Sequence, residues 1–132
     1  LSEIKFMRAQ IGNKIYSLEV ADTPLKQVKG LSSRNRLEEN TGMIFMFEKS
    51  DYQRFWMLGM KFPLDFVWVN GDKIVDITEN VLPPCSGSIL QNCLRSISSF
   101  TSKAPADKVI ELNAGEIQRA QIETGLLIKF AE

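Results

Sequence analysis

The sequence predicts a mainly-β domain, either a compact β-sandwich or a barrel-like sheet, with one short helix in its N-terminal half and one short C-terminal helical turn. Short apolar stretches recur along the chain, and turn signals such as Gly12-Asn13 and Asn70-Gly71 separate them. Helical signals occur in only two short places, which favours a β class. The 132 residues are enough for one domain with a buried core, so we assign residues 1–132 to a single domain.

The first strands are predicted from alternation. We expect extended segments at Ile4–Ala9 and Ile15–Ala21, joined at Gly12-Asn13. After a polar loop over residues 32–41, the stretch Met43–Phe47 is apolar on both faces and is therefore expected to be a central strand.

A helix is predicted between these strands. Asp22 is interpreted as its cap, and Pro24 fits the first helical turn. Leu25, Val28 and Leu31 recur at helical spacing, so we expect them to share one buried face.

The second half contains the densest apolar stretch, FWMLGMKFPLDFVWV at residues 55–69. We expect an extended segment at Tyr52–Leu58 and a hairpin of Leu64–Val69 with Lys73–Glu79 around Asn70-Gly71. A long loop, Asn80–Asp107, follows, and loops of this length are usually functional or mobile.

The C-terminal elements are a strand, a helical turn and a closing strand. We place them at Val109–Leu112, Ile117–Ala120 and Leu126–Phe130. The preceding Asn113–Gly115 could present backbone N–H groups to an anion.

Composition narrows the function classes. Sixteen basic and sixteen acidic side chains balance, so charge gives no reason to expect a nucleic-acid or anionic-membrane partner. The absence of His excludes a His-based hydrolytic triad and a His-built zinc site. We expect no cofactor, no metal and no membrane span, and we expect a monomer.

The cysteines leave one question open. Cys85 and Cys93 are the only two, and they lie eight residues apart in the long loop. They could form a disulfide in an oxidising compartment or remain two unpaired thiols.

Several blocks of the chain resemble a known family. These are LEVADTP at 18–24, Gly30-Leu31, GMIFMF at 42–47, the central block 55–69, the Pro84-Cys85 region and ELNAG at 111–115. In this order they are similar to the domain of unknown function 192 (DUF 192), a family of small bacterial and archaeal proteins also designated UPF.

This chain also departs from that family pattern. Members often carry a polar residue where this chain has Leu58, and Asn-Thr where it has Gly59-Met60. Members also tend to have a Gly where this chain has Gln121 and a Gly-Asp pair in place of Gly125-Leu126. The resemblance implies a compact mainly-β domain, commonly behind an export signal or lipid anchor, and implies no established activity. It therefore implies an extracytoplasmic location, secreted, periplasmic or membrane-anchored.

The candidate binding residues are Trp56, Asp65, Arg54 and Arg34. Asp65 lies in an apolar run, so it either points to solvent or is a buried acid that needs a partner, for which Arg54 or Arg34 is available. Trp56 shares a strand face with Arg54 and either lines a groove or packs in the core, whereas Trp68 is expected to be core.

Two alternative functional hypotheses depend on different residues. A carboxylate-dependent enzyme acting on a carbohydrate or cell-envelope component could pair Asp65 with Asp76 or Glu79. A copper-handling protein could use the sulfur atoms of Met57 and Met60, with Cys85 and Cys93.

No recognisable catalytic constellation is present, so we assign no catalytic residue. The first hypothesis is a non-enzymatic binding or interaction module, whose partner is an unknown small molecule or protein. Its groove would be lined by Trp56, Arg54, Asp65 and part of the loop at 80–107.

Overall fold

The computed structural model describes residues 3–84 and 99–132, which form seven strands and two short helices. The strands, in chain order, are β1 (Phe6–Ile11), β2 (Lys14–Ala21), β3 (Thr41–Asp51), β4 (Leu64–Asn70), β5 (Lys73–Val81), β6 (Ala106–Asn113) and β7 (Ile128–Ala131). The helices are α1 (Pro24–Lys29), between β2 and β3, and α2 (Glu116–Arg119), between β6 and β7. The predicted mainly-β class with two short helical elements is confirmed.

All seven strands belong to one sheet, in the order β5-β4-β6-β3-β2-β1-β7. The two edge strands approach each other at one end, where Lys73 pairs with Leu127 in an isolated antiparallel bridge. The Ile128 N–H also donates to the Asp72 carbonyl at 2.7 Å. The sheet therefore curls into a half-barrel, which is the barrel-like form of the two predicted architectures.

Each face of the sheet carries its own core because successive side chains of a strand point to opposite faces. One core, here called the inner core, has members from all seven strands; its buried members include Tyr16, Leu18, Ile44, Val67, Ile110 and Leu112. The outer core lies on the other side; its buried members include Met43, Phe45, Met57, Phe66, Trp68 and Val109. Both faces of the central strands are buried, as the apolar Met43–Phe47 stretch predicted.

The two hairpin predictions are confirmed, with one shift. Gly12 and Asn13 connect β1 to β2. In the second hairpin Asn70 pairs with Lys73, so the turn residues are Gly71-Asp72 rather than Asn70-Gly71. Gly71 has a φ of +65°, a conformation that glycine adopts without a side-chain clash.

The prediction that Tyr52–Leu58 forms an extended strand is wrong. Only Phe55 makes a β-type contact there, in an isolated bridge with Phe100. Its ring packs edge-on against Phe45, Phe66 and Trp68, with centroids 4.9 to 5.6 Å apart. Ring packing on the outer core holds this segment in place of a strand ladder.

The burial predicted for Leu25, Val28 and Leu31 at helix α1 is also wrong for two of these residues. Leu31 is buried, but Leu25 and Val28 are each 84% exposed. Hydrogen bonds from Gln27 hold the helix on the sheet instead. The side-chain amide of Gln27 donates to the carbonyl oxygens of Ala21 in β2 at 3.2 Å and Met46 in β3 at 2.8 Å.

Asp22 is not the cap of this helix. The N-cap is Thr23, whose Oγ1 accepts from the Lys26 N–H at 3.2 Å. The Asp22 carboxylate lies 3.9 Å from the Lys26 ammonium group.

The long loop is shorter than predicted at both ends. Strand β5 extends to Val81 and β6 begins at Ala106. Cys85 and Cys93 lie outside the described residues, and their predicted pairing stays a prediction. Within 3–84 and 99–132, no helix is both long and apolar enough to cross a membrane.

Candidate functional site

Asp65 lies on the inner face of β4, where it is fully buried. Its Oδ1 accepts from the Asn80 N–H at 2.8 Å, and its Oδ2 accepts from the Ile117 N–H at 2.9 Å. The second bond satisfies an N–H in the first turn of α2, which has no partner within the helix. Asp65 therefore binds the helix that follows Asn113–Gly115, through Ile117 and not through the three residues at which an anion was predicted.

Neither predicted arginine partner contacts Asp65. Arg34 forms a two-oxygen ion pair with Glu19, with distances of 3.0 and 2.9 Å from its Nη2. Arg54 donates from Nη1 to the Ser99 hydroxyl at 3.1 Å. The predicted pairing of Asp65 with Arg54 or Arg34 is wrong, because backbone N–H groups satisfy the acid instead.

Trp56 and Arg54 lie together on the outer side of the sheet, at a cavity of about 360 Å³. We call it the Glu111 cavity. One wall is formed by α1 and the turn that follows it, and the opposite wall by residues 54–60. Phe45 and Phe47 of β3 also line it.

Exposed apolar side chains surround the cavity opening. Trp56 is 56% exposed, so the interpretation that it packs in the core is wrong. Val28 and Leu58 are also exposed and line the cavity. Solvent-exposed apolar groups around a concave site are typical of surfaces that contact a ligand.

Glu111 belongs to the lining of this cavity, and its side chain is only 5% exposed. Glu111 lies on β6, on the same face as Val109 of the outer core. In the register of the sheet it pairs with Met43 of β3 and Phe66 of β4. Its Oε1 is buried and has no hydrogen-bond partner among the described residues. A buried carboxyl without partners is energetically unfavourable in its charged form.

Burial accordingly raises the pKa of Glu111 to about 8 from its ordinary value of 4.5. At neutral pH the group is then mainly a neutral carboxylic acid. Such an acid has one O–H to donate and further oxygens that accept. It can donate a hydrogen bond to a ligand, accept one, or exchange a proton.

Glu111 was not among the candidate residues predicted from the sequence, although its position in an apolar strand was a signal for a buried acid. Glu111 is a lone acid in an apolar strand, VIEL, just as Asp65 is a lone acid in PLDFV. The same reasoning applied to both would have identified two buried acids, but their partners depend on the register of the strands.

A third buried acid, Glu116, has partners on both oxygens. Its Oε2 accepts from Lys14 Nζ at 2.8 Å and from the Tyr16 hydroxyl at 2.6 Å, and its Oε1 accepts from Arg119 Nη2 at 2.8 Å. Burial by itself would raise the pKa of Glu116, but these hydrogen bonds outweigh it and lower the pKa. Burial and the bond to Glu116 raise the pKa of Tyr16. This network joins α2 to the β1-β2 hairpin.

The acids proposed for a carboxylate-dependent enzyme do not form a pair. Asp76 lies opposite Trp68 on the outer side and accepts from the Lys103 N–H at 2.8 Å, whereas Asp65 is on the inner side. Glu79 is exposed, and both oxygens of Asp65 are occupied by backbone N–H groups.

The copper hypothesis stays a prediction. Met57 is buried in the outer core, and Met60 packs against the same core and also lines the Glu111 cavity, whereas Cys85 and Cys93 lie outside the described residues. Across the part of the chain that the structure describes, no cluster of three or more Cys, Asp or Glu side chains could hold a metal ion.

Solved structures share this fold. A crystal structure from Sinorhizobium meliloti 1021, described as a "putative transcription regulator", matches with a TM-score of 0.80 at 24% identity, covering 97% of this chain and 94% of that chain. A protein of unknown function from Novosphingobium aromaticivorans DSM 12444 matches with a TM-score of 0.76 at 26% identity, covering 96% of this chain and 84% of that chain. The first likeness establishes the fold alone. No curated protein matches the sequence.

A family model matches nearly the whole chain, from residue 7 to residue 130, and its description is "Uncharacterized ACR". The match confirms the resemblance drawn from the sequence blocks. The chain belongs to the DUF192 family.

Proposed function

We propose that this domain is a non-enzymatic binding module, whose small, largely apolar ligand is bound in the Glu111 cavity. The observation that carries the proposal is the buried Glu111 carboxyl, which lines the cavity and has an oxygen without a partner among the described residues. A polar group of this kind gives a ligand one oriented hydrogen bond within an otherwise apolar site.

The surroundings of Glu111 support this use. Rings of Phe45, Phe47 and Phe55 line the cavity, and Trp56 stands exposed at its opening. Its volume of about 360 Å³ lies at the lower end of the range of small-molecule sites. Trp56 and Arg54 thus remain binding residues in the proposal, whereas Asp65 and Arg34 have structural partners elsewhere.

An enzyme remains the second candidate, because a neutral acid at a cavity is also what a general acid requires. The described lining contains no second carboxyl, and its Ser32 hydroxyl donates to the Lys29 carbonyl at 2.6 Å. Binding therefore fits the lining better than catalysis. A ligand that is chemically altered on incubation would favour the enzyme.

The extracytoplasmic location implied by the family resemblance belongs to the same proposal. Fractionation of cells that produce the full-length protein would test it. Recovery in the periplasm, the medium or the membrane fraction supports the location, and recovery in the cytoplasm contradicts it.

The binding site can be tested with two matched substitutions on α1. Val28 and Leu25 are equally exposed at 84%, but only Val28 lines the cavity. Val28→Trp should obstruct the opening, whereas Leu25→Trp adds the same side chain outside it. Both variants should fold, because neither position is buried.

The measurement is a thermal-shift screen of wild type and both variants against small apolar compounds that each carry one polar group. A ligand at a hundredfold excess over its Kd stabilises the folded state by roughly 2.7 kcal/mol, which raises Tm visibly. The proposal expects compounds that shift wild type and Leu25→Trp but not Val28→Trp. No shift in wild type, or shifts that persist in Val28→Trp, would overturn it.

A further inference from the structure

We infer that the ligand is a small organic anion, with its charged group at Lys29 and Arg54, its apolar body in the cavity and a hydrogen-bond acceptor at Glu111. This inference rests on the proposed function, because it assigns a chemical class to the ligand of the same cavity. Three features of the lining support it: the positive charges at the opening, the protonation state of Glu111 and the Phe rings between them.

The opening carries positive charge. Lys29 and Arg54 both line the cavity and both are exposed. Among residues 3–84 and 99–132, neither takes part in an ion pair, and the bond from Arg54 to Ser99 uses one of its five N–H donors. Charge-assisted hydrogen bonds from these groups would orient a carboxylate or another oxyanion.

Within the described lining, positive charge comes from Lys29 and Arg54 alone. Glu111 is the only acid in the described lining, and its neighbours in register are the apolar residues Met43 and Phe66. With Glu111 protonated, the charge of the lining comes from Lys29 and Arg54 and is positive. Such a cavity attracts anions and disfavours cations.

The neutral acid also selects the group that approaches it. An amine would form an ion pair only after Glu111 lost its proton, and both charges would then be buried. A carbonyl or ether oxygen accepts the existing O–H without any change of charge. An acceptor therefore satisfies Glu111 at a smaller energetic cost than a cation.

Few other charged groups of the described residues lie near Glu111, so its titration should dominate the pH response of binding. On the neighbouring elements they are Lys29 at the end of α1, Arg54 in the opposite wall, and Glu19 of β2. Glu19 is two strands away from β6, and Arg34 holds it in an ion pair. Strands β3 and β4 present Met43 and Phe66 at the level of Glu111, and neither titrates.

The middle of the cavity fits an aromatic or branched apolar body. Phe45 and Phe47 come from β3, and Phe55 comes from the opposite wall. Aromatic rings prefer edge-on and offset contacts with other rings, as Phe45 and Phe55 show at 4.9 Å between centroids.

The charge preference can be tested with three probes that share one body: phenylpropionate, phenylpropanol and phenylpropylamine. Their affinities are measured by isothermal titration calorimetry at pH 7. We expect the carboxylate to bind about tenfold tighter than the alcohol and the amine to bind weakest. Arg54→Gln and Lys29→Gln, both exposed substitutions, should each reduce the preference for the carboxylate.

Tighter binding of the amine, or equal binding of all three, would overturn the inference and leave the cavity proposal standing. The inference is also overturned if none of the three binds. In that case the compound screen with Val28→Trp still decides whether the cavity binds a ligand of another class.

The contact at Glu111 is tested with para-acetyl and para-isopropyl phenylpropionate, which have the same shape but differ in one acceptor oxygen. We expect the acetyl compound to bind wild type about threefold to tenfold tighter, the value of one hydrogen bond. The preference should fall as pH rises through about 8, where Glu111 loses its proton.

Two variants separate this contact from a structural effect. Glu111→Gln keeps a donor that cannot titrate, so the acetyl preference should persist and become independent of pH. Glu111→Leu has no donor, so the preference should vanish at every pH. A preference that survives in Glu111→Leu would contradict the contact.

Discussion

Asp65 and Glu111 are buried acids at neighbouring positions of one sheet, on opposite faces. Asp65 of β4 pairs in register with Leu112, and the next residue, Phe66, pairs with Glu111 of β6. Both oxygens of Asp65 accept backbone N–H groups, at 2.8 and 2.9 Å. Glu111 lies in the lining of a cavity, and its Oε1 has no partner within the described ranges.

The comparison shows that burial alone does not distinguish a structural acid from a functional one. Asp65 fixes the start of α2 to the sheet, so its carboxyl contributes to folding. Oε1 of Glu111 holds no other element by a hydrogen bond among the described residues. A buried polar group without a partner opposes folding unless other interactions compensate for its desolvation. Substitutions at the two acids should therefore change stability in opposite directions.

The largest expected effect is at Asp65. Asp65→Ala leaves the N–H groups of Asn80 and Ile117 without their acceptors. The Ile117 N–H is buried, so leaving it without an acceptor costs about 1 to 3 kcal/mol, whereas the bond from the exposed Asn80 is only partly buried and adds about 0.5 to 1.5 kcal/mol. The free energy of unfolding should therefore fall by about 1.5 to 4.5 kcal/mol. Urea denaturation would measure it. A loss below about 1 kcal/mol would show that Asp65 does not hold α2 to the sheet.

The second prediction concerns pH. The folded-state pKa of Glu111 is raised to about 8, above an ordinary value of 4.5. The folded protein therefore keeps a proton that the unfolded chain releases, and stability falls as pH rises between these two values. The slope from this group is about 1.4 kcal/mol per pH unit.

Denaturation from pH 5 to pH 9 in wild type and Glu111→Gln would measure this contribution. The free energy of unfolding of wild type, relative to that of Glu111→Gln, should decrease as pH rises and should level off above about pH 8. Parallel curves would contradict the raised pKa. Glu116 acts in the opposite sense: its lowered pKa means that its contribution is lost as pH falls below the ordinary carboxyl range.

A third prediction is a gain of stability. Glu111→Leu replaces a buried acid, whose Oε1 has no hydrogen-bond partner among the described residues, by an apolar side chain beside Met43 and Phe66. Such replacements are often neutral or stabilising, here by about 1 to 3 kcal/mol at pH 7. The comparison with Asp65→Leu, which should be strongly destabilising, makes the contrast direct. Equal losses in the two variants would remove the distinction between the two faces.

The smallest expected effect is at the wall of the cavity. Thr23→Ala removes the N-cap of α1 and should cost about 1 kcal/mol of stability. Asp22→Ala removes only a long contact with Lys26 at 3.9 Å, so its effect should be much smaller. Thermal denaturation of the two variants would show which residue caps the helix.

The sequence located most of the strands, with the exception of Tyr52–Leu58, but not their pairing partners. Alternation and turn residues located the β1-β2 and β4-β5 hairpins because these signals are local. The pairing of β4 with β6, and the edge contact of Lys73 with Leu127, join distant segments and have no local signal. The sequence therefore left the choice between sandwich and barrel open.

The candidate site was predicted in part. Trp56 and Arg54 were selected and lie together at the cavity, but Asp65 and Arg34 were selected with them and lie elsewhere. Helical spacing predicted burial of Leu25 and Val28, which fails because Gln27 fastens α1 through hydrogen bonds to β2 and β3. Which acid has partners depends on register, and register was not available from the sequence.

The most direct test of the account is an NMR titration of the glutamate side-chain carboxyl carbons in wild type, with Glu111→Gln used to assign the Glu111 signal. We expect Glu111 to titrate with a midpoint near pH 8, because its carboxyl is buried and its Oε1 has no partner among the described residues. A midpoint near its ordinary 4.5 would show that Glu111 is solvated or paired, and it would contradict the central claim of a neutral donor in a binding cavity.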